Sequence, residues 1–552
     1  MSESAFAYHE PPIPTILNQT GLLLALNLVN TCLDKLLYCG LIGQLFIGIL
    51  WGTPGAKWLD RDVETVIQQL GYLGLIMLVY EGGLSTSLAS LRANVWLSLA
   101  VALTGIAVPM ALSFILMELV SATPLQAFSA GAALSATSLG TTFTILSTTE
   151  LITTRLGTVT TSAAMLDDVV GLVMVQIISN LGGSGDSFSA VTVVRPLFVS
   201  LGFGIGVVLG CRFLLRPILL RVLQSRDKFP EFARSLEFAF LGHTAVLVGM
   251  VSGATYAGTS SLFAAYLAGV IASWFDGLVQ VTASTEGCDP APGRSNEGSA
   301  SGLRVYETYY ASPVKRILTP MFFASIGFAI PITEMFQGSV VWRGFVYAIL
   351  MTFGKMCTGL WLVRISPRSG LSTFVLILAT PFSYANSCLS RSKAEQEKSR
   401  TQEGNNQMQK TGDSQPHPQA DQTNPEPVDP NRHEVQTTDT PPQQTQQQQH
   451  PSSPLLPKPK SLYPASILSL AMVARGEIGY LIASLAESNQ IFGETVGGTS
   501  SETYLVVVWA ISLCTLIGPI SVGSLVKRVK SLQARRRTSN VGGGDPLGVW
   551  GV

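Results

Sequence analysis

The feature that constrains this chain most is a long succession of apolar runs, each near the length needed to cross a bilayer. They include Ile67–Leu88, Trp96–Leu119, Ala127–Leu146, Gly157–Ile178, Val193–Leu220, Trp342–Val363 and Tyr504–Val526. The hydrocarbon core of a membrane takes roughly 20 apolar residues per helix, because backbone groups left unpaired in lipid are costly. A large soluble helical core is the alternative, but charged residues make up only 13% of the chain. Soluble domains carry about 25%. The expected fold is therefore an all-α polytopic membrane protein with about 13 transmembrane helices. Their expected positions are roughly 16–33, 36–52, 66–88, 95–119, 126–148, 155–180, 192–220, 235–254, 259–280, 312–332, 341–364, 463–487 and 502–526.

Charge placement sets the expected orientation. Lys and Arg accumulate on the cytoplasmic side of membrane proteins. Lys527, Arg528, Lys530 and Arg535 to Arg537 follow the last span, so residues 527–552 are expected to form a basic cytoplasmic tail. Counting back places Arg155, Arg216, Arg221, Lys315 and Arg364 at inner ends, and the short polar stretch 1–15 outside. The apolar segment Leu371–Ala385 is too short for a full span, and counting it as one would put the basic tail outside. The membrane domain is thus expected over 16–386 and 462–526. Between its parts lies a polar insertion, 387–461, rich in Gln, Pro, Glu, Lys and Ser. It lacks the apolar periodicity that offsets ordering entropy and is expected to be a disordered cytoplasmic loop. Ala283–Gly302, rich in Gly, Ser and Pro, is expected to be a second flexible loop.

Several function classes are disfavoured. With 35 basic and 35 acidic residues, nothing marks a nucleic-acid partner. The 7 cysteines show no paired metal spacing, and of the 5 histidines only His243 lies in a membrane run. No nucleophile, base and orienting group stand together, so neither a hydrolase nor a bound cofactor is expected.

The informative residues are charges within the apolar runs, each of which costs about 2.5–3.5 kcal/mol to insert. Asp167 and Asp168 lie mid-way along the sixth run, Lys355 deep in the eleventh, Arg475 and Glu477 in the twelfth, and Glu81 in the inner part of the third. Adjacent helical residues point about 100° apart. One aspartate can therefore pair with a cation while the other faces a water-filled cavity. Asp168 shares its stripe with Thr161, Ala164, Gly171 and Val175, a face of mostly small side chains with room for an ion. A carboxylate in such a place holds either a proton or a small cation, and that competition is a physical basis for exchange. The alternative is a set of buried pairs that merely organise helices. Two segments also carry helix-breaking features at membrane depth, SATSLGTT at Ser135–Thr142 and RGEIG at Arg475–Gly479. Transporters build midplane ion sites from such discontinuous helices in inverted repeats.

The stretches GAALSATSLGTTFTIL (Gly131–Leu146), AAMLDDVVG (Ala163–Gly171) and SSLFAAYLAGV (Ser260–Val270) carry a resemblance. So do TPMFFASIGFAI (Thr319–Ile330), Gly354–Lys355 and ARGEIGYLIA (Ala474–Ala483). In this order they resemble the monovalent cation/proton antiporters of the sodium/hydrogen exchanger superfamily, in the paired-aspartate branch (cation:proton antiporter family 2). The likeness spans about 20–364 and 463–526, and the insertion resembles a eukaryotic, fungal elaboration. It implies a dimerisation domain beside a mobile core, with inverted repeats and two discontinuous crossed helices, here the fifth and twelfth spans. It also implies that Asp168 is the principal proton and cation carboxylate and that Asp167 pairs with Lys355. Thr137 and Ser138 would approach the transported ion, while Arg475, Glu477 and Glu81 would serve structure or gating.

The expected function is electrogenic exchange of sodium or lithium for protons across the plasma membrane or an organelle membrane. A homodimer in the lipid bilayer is the expected form. Potassium/proton exchange and a cation efflux channel of related fold are the alternatives. Against the channel, no glycine-rich nucleotide-binding module follows the last span.

Overall fold

The computed structural model describes residues 10–37, 39–86, 88–148, 151–181, 190–224, 235–285, 301–363, 462–493, 500–539 and 546–551. The apolar segment 371–385 and the insertion 387–461 lie outside them. Every regular element among the described residues is a helix. The principal ones in chain order are α1 (Ile13–Leu37), α2 (Gly40–Trp51), α3 (Arg61–Leu84), α4 (Leu88–Ser113), α5 (Pro124–Ser135), α6 (Leu139–Thr148) and α7 (Arg155–Leu181). Then come α8 (Ala190–Leu209, continued by a π-helical turn Gly210–Leu215 into Arg216–Gln224), α9 (Leu236–Ala257) and α10 (Ser261–Thr285). Helix α11 begins at Gly302–Val305, passes through π-helical turns at Tyr306–Tyr310 and Val314–Leu318, and ends as Thr319–Phe328. The last are α12 (Gly338–Met356), α13 (Tyr463–Ala471), α14 (Glu477–Ser488) and α15 (Glu502–Ser539).

Nine helices among the described residues are long and apolar enough to cross a membrane individually. The outer surface suits lipid: Phe198, Val208, Leu241, Ile349 and Phe353 are each more than 60% exposed. Exposed apolar side chains on that scale do not belong on a water-facing monomer. The protein is a multi-pass membrane protein.

Two helix groups stand side by side. Helices α1, α2, α3, α9, α10 and α11 pack mainly on one another, and α4 to α7 pack with α12 to α15. Close approach of α3 and α10 depends on two glycines. A Cβ on Gly83 would meet the Tyr266 carbonyl oxygen at 2.2 Å, and one on Gly269 would meet the Tyr80 oxygen at 2.3 Å. Small residues let backbones come this close where lipid offers no hydrophobic drive between helices.

Three expectations need correcting. The tenth span, expected over 312–332, starts earlier: Ser301 accepts from the Arg304 amide as an N-cap, so Gly302 opens a helix instead of closing a loop. Nor does the basic segment after residue 526 begin a separate tail. Helix α15 runs on to Ser539, carrying Lys527 to Arg537 on its final turns. Beyond it Leu547 and Trp550 are buried, and the Arg155 guanidinium lies over the Trp550 ring at 5.1 Å. Finally, the break in the twelfth span covers Met472–Gly476, so Glu477 to Gly479 form the first turn of α14 and only Arg475 and Gly476 lie in the break.

Candidate ion site at the helix crossing

A helix interrupted inside a membrane leaves its last carbonyls and its next amides without partners, and lipid supplies none. The sequence of both breaks answers that requirement. Between α5 and α6, Ala136 is extended. The Ser138 amide there donates to the Ala474 carbonyl of the other break at 2.9 Å, so the two interruptions are joined where they cross. The Ser138 hydroxyl accepts from the Thr141 amide at 3.4 Å, capping α6. Arg475, fully buried, donates through Nη1 to the Ser135 and Ala136 carbonyls at 3.3 and 3.0 Å and so closes the end of α5. At the end of α13, Thr142 donates to the Ala471 carbonyl at 3.1 Å, and the Thr137 hydroxyl lies 3.3 Å from the Met472 carbonyl. Gly476 is needed for the approach, since a Cβ there would lie 2.6 Å from the Ser138 hydroxyl oxygen.

Helix α7 runs beside the crossing and brings the paired aspartates to it, 1% and 7% exposed. They face different partners. Asp167 Oδ2 accepts from Lys355 Nζ at 2.8 Å and also from the Thr137 hydroxyl. Lys355 donates to Thr137 Oγ1 at 2.8 Å, which closes a three-residue cluster. The lysine reaches it from the end of α12 past Gly105, where a Cβ would sit 3.4 Å from Nζ.

Asp168 lines a cavity of about 510 Å³ between the two helix groups, together with Ser138, Glu477, Tyr266, Glu81 and Lys315. Its Oδ1 is buried and has no hydrogen-bond partner. On the same cavity wall, Glu81 holds Lys315 at 3.1 Å and accepts from the Tyr306 hydroxyl at 2.9 Å. The arrangement offers hard, anionic oxygen donors on the wall of a cavity, the chemistry that suits an alkali cation or a proton.

The structure thus brings together seven of the eight residues singled out from sequence at the crossing, and puts Glu81 along the same cavity. The Thr137 hydroxyl, expected to approach the ion, lies in the Asp167–Lys355 cluster and 3.3 Å from the Met472 carbonyl. Glu477, expected to serve structure or gating, lines the cavity with Asp168. Sequence reasoning missed Tyr266 and Lys315 as cavity residues. Both lie on helices far from the breaks in sequence, and only helix packing brings them there.

Comparison with known proteins agrees with this architecture. The family described as "Sodium/hydrogen exchanger, transmembrane" matches residues 22–387. A high-affinity sodium/proton antiporter of Synechocystis is 31% identical over 176 residues, which cover 32% of this chain and 38% of the relative. Cation/proton antiporter 19 of Arabidopsis thaliana is 26% identical over 381 residues, 64% of this chain and 43% of the relative. Among solved structures, a sodium/proton antiporter of Methanocaldococcus jannaschii shares the fold, with a TM-score of 0.54 at 12% identity over 94% of this chain and 99% of that one. The stretches matched in the two relatives amount to less than half of their lengths.

Proposed function

This chain belongs to the sodium/hydrogen exchanger family, and we propose that it exchanges sodium or lithium for protons across its membrane by alternating access. The observation that carries the reading is the buried Asp168 carboxylate, whose Oδ1 has no hydrogen-bond partner among the described residues, on the wall of the cavity beside two crossed helix breaks. Asp168 takes the cation from one side, releases it on the other and returns with a proton. Because one carboxylate serves both ligands, neither can be carried without displacing the other, and exchange is obligatory.

Asp167 and Lys355 hold the other charges of the site in register. Their pair anchors α7 to α12 and leaves Asp168 as the carboxylate free to meet the cavity. Glu81 and Lys315 pair on the wall of the same cavity. Basic loops assign this end of the bundle to the cytoplasm. The group of α4 to α7 with α12 to α15 carries the site and moves against the other group, through which two copies form a homodimer in the bilayer. Sodium is favoured over potassium because the relatives compared above are sodium/proton or cation/proton antiporters by name.

Purified protein in liposomes decides the matter. A sodium or lithium gradient should drive proton movement, and Asp168→Asn should silence it while the protein stays folded. Robust exchange by a folded D168N protein would remove Asp168 as the site. A response to potassium alone would overturn the choice of ion.

A further inference from the structure

We infer that Glu477 is the second carboxylate ligand of the transported cation, which sits between it and Asp168 against the Ser138 hydroxyl. This rests on the exchange reading above and assigns its binding site more closely. Both carboxylates line the same cavity with Ser138. Asp168 is 7% exposed, and its buried Oδ1, on the cavity wall, has no hydrogen-bond partner among the described residues.

Electrostatics explains why a second carboxylate is needed at this point. The two helices that resume after the breaks, α6 and α14, present their amino-terminal ends to the crossing. Such ends carry about half a positive charge and repel a cation. The carboxyl-terminal ends of α5 and α13, which would attract one, are already occupied. Arg475 holds the α5 carbonyls, and at the end of α13 Thr142 holds the Ala471 carbonyl while the Thr137 hydroxyl stands against that of Met472. Attraction must therefore come from side chains. Glu477 is the first residue of α14 and places its carboxylate at the positive end of that helix.

Charge balance leads to the same assignment. Asp167, Asp168 and Glu477 face Lys355 and Arg475 at the crossing, three carboxylates against two cations. One negative charge is left over, which matches one monovalent cation. With Glu477 neutral the crossing is balanced without any ion, and the cavity loses its pull on sodium.

The test is the sodium dependence of exchange in liposomes, with sodium binding to the purified protein followed by calorimetry. Glu477→Gln should raise both the apparent KM and the dissociation constant for sodium about tenfold or more, through loss of one ligand charge, while the rate at saturating sodium changes far less. A purely structural role would lower the maximal rate or the yield and leave KM alone. Wild-type KM and affinity in E477Q would overturn the assignment. If E477Q fails to fold, Glu477→Asp decides: a shortened ligand must alter the order of preference among lithium, sodium and potassium, and an unchanged order overturns it. Asp168→Asn separates the two readings. Exchange by D168N would sink the site as a whole, whereas a silent D168N beside an unaltered E477Q would remove only Glu477.

Discussion

At the scale of single residues, two neighbouring aspartates with the same chemistry have different surroundings. Asp167 is held by Lys355 and Thr137, and Asp168 faces the cavity. Removing one partner of the buried pair leaves an uncompensated charge and should cost about 3–5 kcal/mol, whereas removing both costs much less. Asp167→Asn and Lys355→Gln should each lower the thermal denaturation midpoint, and the double variant should recover part of the loss. A double-mutant cycle without coupling would break the pairing. The DD motif marked these residues in sequence because intramembrane charges are expensive and stand out. Their division of labour followed from the 100° turn between neighbours, although which one would face Lys355 rested on family likeness. Thr137 was harder to place. A threonine hydroxyl can serve an ion, a carboxylate or an orphan carbonyl, and only the positions of α12 and α13 decide among them.

At the scale of elements, the crossing is held by a small set of polar contacts among segments distant in sequence. Arg475→Met would leave the Ser135 and Ala136 carbonyls without their donor, and each unsatisfied buried group costs about 1–3 kcal/mol. Its melting temperature should fall, with expression in the membrane as the control. Gly476→Ala should act differently. Its Cβ would press on the Ser138 hydroxyl at 2.6 Å, displacing a cavity residue more than a fold residue. The expected result is a larger loss of exchange rate than of stability, and a variant with full activity would show that this contact relaxes freely. The breaks themselves were legible as SATSLGTT and RGEIG, because hydroxyls, glycine and charge are out of place in a lipid-spanning helix. Their edges were less so. Interruption begins at Met472, where the local sequence is apolar, because the end of α13 is set by the hydroxyls of Thr137 and Thr142 reaching it from another segment.

At the scale of the whole molecule, transport of net charge follows from the site if more than one proton returns per cation. Moving a unit charge across the membrane field is worth about 2.3 kcal/mol per 100 mV, enough to shift the attainable gradient several-fold. Imposing a voltage on proteoliposomes should therefore change the exchange rate, and insensitivity would make the cycle electroneutral. Deleting residues 391–458 should leave basal exchange intact, since loop length alters closure entropy only slowly. Loss of exchange in a deleted protein that still reaches the membrane would give the insertion a part in the cycle. The sequence by itself determined the membrane class, nearly all the helix positions and the identity of the charged cluster. Each of these is a local or compositional consequence of placing a polar backbone and a few charges in lipid. Tertiary structure alone decided which hydroxyl serves which partner, that Glu477 looks into the cavity, and that Tyr266 and Lys315 line it. Those facts depend on where helices remote in sequence cross, and a crossing is fixed by packing between faces, at points such as Gly83 against Gly269, that no single run of residues encodes.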